Sequence, residues 1–541
     1  MSSATGVLRG SVGLRFWWRT FEGVQDLFAE GHGEEGGPDD PLPVKTYRGL
    51  PRHVLPEPVR RIGDARWSFD AFRASHPLGV PRLDRLGEQA LSALLYWTCG
   101  FGRIELGPHA AWPYHRMVAS ARCFHPVELY VWLAHPASAL PAGCYHYDPA
   151  HHSLTLLRPG SVPDAVRVAT GVRGAAGLLV ASAWFRKAAF RYRDYAYRLC
   201  AQEAGMTVGN ALLCGAALGL RGRVHHRFDD AVVNRALGLD EVEETAFAVI
   251  ELAPAGERAR KLAGVAPVPL SVAADVAEIR PVHVQTNTTP AHTWSGLSEL
   301  NLAARLTGPG APVDPADFHP PADVPSADAV LALSGPEPGP GGVELADALR
   351  ARDSGGRMFL PAARPVAVDR LGPALRYALD PVPSDHTGAR CRPLVDAYVL
   401  MLGADGVSPG LHRLDTRSGP PVLVRLAGRD WRGVVGMLCD RTPAVNSAKA
   451  DALVFLTVDR LAGERWFGAR GYRVLHQEAG IVAQRISVLA AAAGLSVRVT
   501  NGYHDGMIRE LIGADAAQVP VFTLIIGRRR PTAQYEPPLT W

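Results

Sequence analysis

Lysine is nearly missing from this 541-residue chain. It stands only at Lys45, Lys187, Lys261 and Lys449, so almost all of the 57 basic residues are arginine. With abundant Ala, Gly and Pro, this reads as compositional bias, and no single arginine carries functional weight alone. A dominant charge sign is missing too: 53 acidic residues leave a formal net charge of +4, which gives no reason to expect nucleic acid or a membrane as partner. None of the seven cysteines forms a CxxC pair or part of an even ladder, which points to a reduced, cytoplasmic setting with buried thiols. Long apolar runs are also absent. Residues 1–26 are interrupted by Arg9, Arg15 and Arg19 and show no signal-peptide core. The most apolar window, Ile486–Val497, is flanked by Arg485 and Arg498 and is too short to span a bilayer. There is no HExxH and no Cys/His ligand ladder. His151-His152 and His225-His226 are adjacent pairs whose side chains need not converge, so no metal site is expected.

What the chain does have is a repeat. Tyr197-Arg198 and Glu203-Ala204-Gly205 recur as Tyr472-Arg473 and Glu478-Ala479-Gly480, 275 positions later. The offset holds from Gly219-Leu220 to Gly494-Leu495, from Phe228-Asp229-Asp230 to Tyr503-His504-Asp505, and from Leu237-Gly238-Leu239-Asp240 to Ile512-Gly513-Ala514-Asp515. Register kept over more than forty residues implies two copies of one structural unit. Two such copies can pack face to face and build a site between them. The length fits two domains plus connecting material, and 47% hydrophobic with 20% charged residues fits a globular protein.

Four segments follow. Residues 1–74 read as an extension, amphipathic near Phe16–Ala29. Residues 75–254 form half one, with a helix over Leu91–Trp97, strands over Val127–Leu133 and Leu154–Leu157, a long helix over Cys200–Leu220 and a strand over Ala246–Leu252. Residues 255–342, rich in Pro, Gly and Ala, lack the repeat and read as connector. Residues 343–541 form half two, with strands over Val497–Thr500 and Val521–Ile526. Its long helix, Glu478–Gly494, has a broad small-residue face that suits either the seam between halves or an isolated core.

Several clusters could carry chemistry. Arg352-Asp353-Ser354-Gly355-Gly356-Arg357 brackets a hydroxyl with two planar guanidinium forks suited to phosphate. Gly527-Arg528-Arg529-Arg530 ends half two, whereas half one has Ala253-Pro254-Ala255 in the register of the three arginines. Either cluster alone is also what a solvated charge run looks like. Asn501-Gly502 lets backbone approach a flat ligand, where half one has His226-Arg227. The loop from His115 to Val127 contains Ser120 and Arg122, and half two offers Pro383–Pro393. Phe190–Arg198 packs three tyrosines and three arginines just before the first long helix.

The order of these parts is a serine loop, His125-Pro126, a Glu128-Leu129-Tyr130 strand, Tyr-Arg, a Glu-Ala-Gly helix, Gly-Leu and Phe-Asp-Asp. It resembles the nitroreductase superfamily, and within it the azoline dehydrogenases that make thiazoles and oxazoles in ribosomal peptide natural products. Lys45-Thr46-Tyr47-Arg48-Gly49-Leu50-Pro51 resembles the segment preceding their flavin domain. The resemblance covers about 45–254 and, more loosely, 343–530. It implies an α+β fold of tandem nitroreductase-like halves, each a sheet flanked by helices, with a long helix at the interface. It implies FMN as cofactor, its phosphate held by Arg352, Ser354 and Arg357 with Arg528 and Arg530, its ring along Asn501-Gly502, completed by Ser120 and Arg122 of the opposite half. It implies a catalytic pair that falls on Arg191-Tyr192, with arginine where the family has lysine. Arginine keeps the charge but cannot act as a base, so Tyr192 is the expected base and Arg191 its stabiliser. The implied partners are a precursor peptide and a cyclodehydratase, with the halves forming a pseudo-dimer, and a homodimer as a further arrangement. A general NAD(P)H-dependent nitro- or quinone reductase and a non-catalytic scaffold subunit are the competing readings.

Overall fold

A computed structural model describes residues 10–29, 40–60, 62, 86–106, 113–172, 176–254, 276–285, 294–308, 330–333, 344–356, 359–360, 366–386, 393–416, 420–439, 445–530 and 537. Two sheets of matching topology dominate it. The first runs Arg52–Val54, Ser153–Pro159, Gly143–Asp148, Val127–Leu133, Gly177–Trp184, Glu244–Pro254, Leu220–His225. The second runs Val330–Ala332, Val422–Ala427, Gly410–Asp415, Asp396–Met401, Ala452–Asp459, Gln518–Arg529, with Ser496–Thr500 and Phe359–Leu360 both pairing to the last strand. All these pairings are antiparallel.

The 275-residue offset is visible in three dimensions. Gly177–Trp184 maps onto Ala452–Asp459, and the helix Asp230–Leu237 onto Asp505–Ile512, with no slip. Upstream the register is lost: Val127–Leu133 and Asp396–Met401 start 269 positions apart, because loops outside the packed core tolerate insertions. The first long helix is Ala196–Ala217 and stops before Gly219, whose φ of 76° starts the Leu220–His225 strand. The sequence reading carried this helix to Leu220. The second long helix is Arg470–Ala492, starting two turns earlier than expected.

The two long helices pack against each other, and two glycines set how close they come. A Cβ on Gly205 would stand 2.0 Å from the Gln477 carbonyl oxygen, and one on Gly480 2.2 Å from the Gln202 carbonyl oxygen. Only glycine permits that approach. Because 205 maps to 480 and 202 to 477, these contacts are a symmetric pair about an approximate two-fold axis. The inner faces of both sheets join the long helices in one apolar core that includes Val208, Phe247, Ile481, Val482 and Leu524. Shorter helices cover the outer faces: Asp164–Thr170 and Asp230–Leu237 on the first sheet, Arg432–Leu438 and Asp505–Ile512 on the second.

Segments outside the repeat are built into this body. Arg52–Val54, within the predicted extension, is the edge strand of the first sheet. The helix Val12–Thr20 is capped by Ser11, whose hydroxyl accepts from Leu14 N at 3.0 Å. It buries Trp17 against Tyr472 and His476, with ring centroids 4.5 and 4.9 Å apart. Within 255–342, Val330–Ala332 is the edge strand of the second sheet, and the helix Ser295–Ala303 docks on half one through Leu297 N to Asp194 at 2.9 Å. Among the described residues no helix is long and apolar enough to cross a membrane.

Candidate functional site

The approximate two-fold axis creates two related positions where a long helix of one half meets a strand end of the other. At the first, Gln202 and Asn501 exchange reciprocal amide hydrogen bonds of 3.1 and 2.7 Å. The Gln202 amide also donates to Val521 O at 2.7 Å, which fixes its orientation. Next on the helix, Glu203 is fully buried and hydrogen-bonded to Ser120. Burial pushes its carboxyl up to about 7, against the opposing pull of that hydrogen bond and of the Arg116 and Lys187 charges. Ser120 in turn accepts from His125 N at 2.9 Å. The loop is bent through left-handed backbone at Arg122, Cys123 and His125, with φ of 51°, 55° and 51°. Non-glycine residues held this way cluster at functional sites. Ser120 is thus brought to Glu203 and Asn501 to Gln202, at one turn of the first long helix.

The Arg352 loop meets the same region. Burial and the Arg103 guanidinium lower Arg352 to about 10. Its Nε donates to Met117 O at 2.9 Å and its Nη2 to Arg116 O at 3.0 Å. Part of the expected phosphate fork is therefore committed to tying half two to the strand that leads into the Ser120 loop. Asp353 is the hub of the loop: Arg529 reaches it at 2.6 Å and Arg103 at 3.6 Å, while Arg498 donates to Gly356 O. Two guanidiniums on the carboxylate and a third on the loop backbone leave an excess of positive charge at this loop. The C-terminal arginine that reaches this loop is Arg529, which the sequence reading passed over. The last strand runs to Arg529, so Arg528 alternates to the other face, where its charge acts on Asp451. Arg530 follows the strand and is exposed. Arg357 lies outside the described residues. From Arg498 to Asn501 is three residues of extended chain, about 10 Å, so the site is elongated, basic at one end and amide-lined at the other.

The helix Arg186–Tyr192 ends beside the Ser120 loop. Phe124 packs on Phe190 at 5.0 Å and on Tyr192 at 6.3 Å, and Ala121 and Tyr192 share an apolar cluster with Val24, Leu27, Tyr195 and Leu199. Tyr192 is thus brought to the loop that carries Ser120. Arg191 precedes it, partly buried, and Arg193 takes φ of 49° to end the helix.

The second position is furnished differently. Gln477, the counterpart of Gln202, donates to Phe247 O at 3.0 Å and turns its oxygen to His226 Nδ1 at 2.6 Å. His226 Nε2 meets Glu478 at 3.2 Å, and His386 Nε2 lies 3.7 Å from the same carboxylate oxygen. Burial alone would raise Glu478, but His226 and His386 outweigh it and hold the carboxyl below its usual range. Asp385 accepts from His226 N at 3.0 Å and Arg227 N at 2.8 Å. Glu203 and Glu478 are not among the site residues expected from the sequence, and His386 enters there only as part of the Pro383–Pro393 loop. The Glu-Ala-Gly repeat was the available signal for the two glutamates, but nothing in the sequence joins His386 to residue 226.

Comparisons with known proteins agree with this architecture. Residues 440–528 match the nitroreductase family. The chain is 27% identical over 140 residues to the trifolitoxin-processing protein TfxB of Rhizobium leguminosarum bv. trifolii, covering 24% of this chain and 38% of that one. It is 32% identical over 65 residues to a Methanocaldococcus jannaschii protein assigned as a nitroreductase, covering 12% and 32%. The chain therefore aligns with less than half the length of either relative. A crystal structure assigned as a nitroreductase, from Anabaena variabilis, superposes with a TM-score of 0.71 at 21% identity, covering 96% of this chain and 100% of that one. The described residues thus have the nitroreductase fold, in tandem, and the chain carries a nitroreductase-family domain at residues 440–528.

Proposed function

We propose that the chain is an FMN-dependent oxidoreductase acting on a ribosomally made peptide, and specifically that it oxidises thiazolines or oxazolines in that peptide to the aromatic azoles. One observation carries the reading: the Ser120 loop and Gln202–Glu203 of half one meet Asn501 of half two, whose strand leads back to Arg498 and to the Arg529–Asp353 pair at a basic end. The donor set fits FMN. Guanidiniums in excess over the Asp353 carboxylate suit a phosphate monoester, and the Asn501 amide with the Ser120 hydroxyl suits the polar edge of a flat ring. Arg498, Arg529 and Ser354 would hold the phosphate end, and Asn501, Gly502 and Ser120 the ring end. Bound there, FMN supplies the acceptor for the hydride lost when an azoline ring aromatises, with dioxygen as the final oxidant.

The chain's own part is to orient the ring, exclude water and take the proton. Tyr192, packed beside the Ser120 loop, is the base, and the neighbouring Arg191 stabilises its phenolate. Glu203, whose carboxyl burial raises to about 7, accepts from the Ser120 hydroxyl and so orients the loop. The similarity to a trifolitoxin-processing protein supports a peptide substrate, and a cyclodehydratase is the partner that would supply the azoline.

The test begins with the visible spectrum of the purified full chain, mass spectrometry of any released cofactor, and incubation with an azoline-containing peptide. A loss of two mass units per ring supports the proposal. FMN present with NADPH-dependent nitroaromatic reduction and no azole formation would move the function to a general reductase. Colourless protein that stays inert after FMN addition would end both.

A further inference from the structure

The position related to the flavin candidate by the approximate two-fold axis holds the only group of His, Cys, Asp and Glu among the described residues whose ligand atoms converge as for a metal: His226, His386 and Glu478. We propose that these three side chains bind a divalent transition-metal ion of the zinc class, so that the duplicated interface carries a flavin on one side and a metal on the other.

The geometry comes first. The three ligand atoms lie within 4.8 Å of one another, with Glu478 Oε1 3.2 Å from His226 Nε2 and 3.7 Å from His386 Nε2. Ligands around tetrahedral zinc are separated by about 3.4 Å, as follows from bond lengths near 2.1 Å. The side chains are 0%, 1% and 1% exposed, so the site is closed, with a water completing the coordination.

The tautomers come next. The Gln477 amide donates to Phe247 O, so its oxygen faces His226 Nδ1 and accepts a hydrogen bond from its N–H. That leaves His226 Nε2 with its lone pair toward Glu478 unless the ring carries a second proton. His386 turns Nε2 toward Glu478, while its Nδ1 lies 3.7 Å from Asp385, beyond hydrogen-bond distance. An amide oxygen behind the imidazole, as Gln477 stands behind His226, is a support that metal-bound histidines use. Asp385 is itself held by the backbone N–H groups of His226 and Arg227.

The charge balance points the same way. Asp385 and Glu478 are two buried carboxylates facing two imidazoles, and a divalent ion neutralises both without demanding a protonated ring. Two imidazoles and one carboxylate match zinc better than magnesium or calcium, which take oxygen ligands. At the flavin candidate Asn501 stands in the register of His226, and the loop before strand Val127–Leu133 carries Ser120 where the loop before Asp396–Met401 carries His386; neither Asn501 nor Ser120 is a transition-metal ligand of the zinc class.

The inference is independent of the flavin reading, and its test reads metal rather than activity. The full chain, produced without a polyhistidine tag and dialysed against a weak chelator, is analysed for metals by mass spectrometry, with flavin measured separately. About one equivalent of zinc per chain is expected, falling to under about a tenth in Glu478→Gln and His386→Ala. Cobalt added to the chelator-stripped wild-type chain should give the visible bands of a tetrahedral site, a readout that needs no variant. Wild-type protein that neither retains zinc nor takes up cobalt overturns the proposal and leaves an imidazolium–carboxylate cluster. Metal that persists undiminished in folded forms of both variants overturns the assignment to these residues.

Discussion

Gly205 meets the backbone carbonyl of Gln477 at a separation that admits no side chain, since a Cβ there would stand 2.0 Å from the oxygen. The obstacle is backbone, which cannot swing aside as a flexible side chain could. Gly205→Ala must therefore push the long helices apart through a core shared by both halves. Overpacking of this kind costs about 3 kcal/mol. Urea unfolding should show that loss, and Gly480→Ala should match it because its own obstacle, the Gln202 carbonyl, is equivalent.

Arg529→Ala should separate phosphate recognition from ring recognition. Arg529 pairs with Asp353 in the Arg352–Gly356 loop, at the basic end of the site. Affinity for FMN should fall about 10- to 100-fold, while affinity for riboflavin, which has no phosphate, stays within about twofold. Flavin fluorescence titrations measure both. Equal losses for the two ligands would place the phosphate elsewhere.

Glu203 should leave a mark on stability against pH. Its carboxyl is raised from 4.5 to about 7 in the folded chain. Between those values the folded state holds a proton that the unfolded state has released, so stability falls as pH rises across that window and levels off above about 7. The size is about 3 kcal/mol. Thermal melts of Glu203→Gln should lose this slope, and the variant should be more stable than the wild-type chain above pH 7.

Tyr192→Phe removes the proposed base while leaving the ring packed beside Phe124. Azole formation should fall at least about 100-fold with flavin content unchanged. Undiminished turnover would remove Tyr192 from the mechanism.

The internal repeat made the later part of each half legible, from the long helix onward. Tyr197-Arg198 through Leu237–Asp240 could be laid onto Tyr472-Arg473 through Ile512–Asp515 from matching residues alone, whereas the strands Gly177–Trp184 and Ala452–Asp459 carry no such mark in the sequence. The long helices matter most to the site, and their Tyr-Arg and Glu-Ala-Gly pairs were the strongest marks in the chain. Other features depend on direction and burial, which a string of letters does not record. Arg352 reads as a phosphate ligand, yet its fork also holds the Arg116 and Met117 carbonyls. Arg529 reads as one of three equivalent arginines until strand pairing aims it at Asp353. The scarcity of lysine read as drift, but Lys45 and Lys187 are both fully buried. Lys45 is bonded to Glu244 and Tyr130, and Lys187 to Glu128 at 3.2 Å and Pro43 O at 2.8 Å. A compact ammonium fits such closed carboxylate sites where a guanidinium would need more room.

The axis between Gly205 and Gly480 lies inside one polypeptide, and that has a genetic consequence. In an assembly of two identical chains, one codon writes both ends of the seam, so any change made on one side is copied on the other. Here each side has its own codons. Asn501 and His226, or Arg528 and Ala253, can be chosen separately, and one cleft can be given up or put to new use without harming its twin.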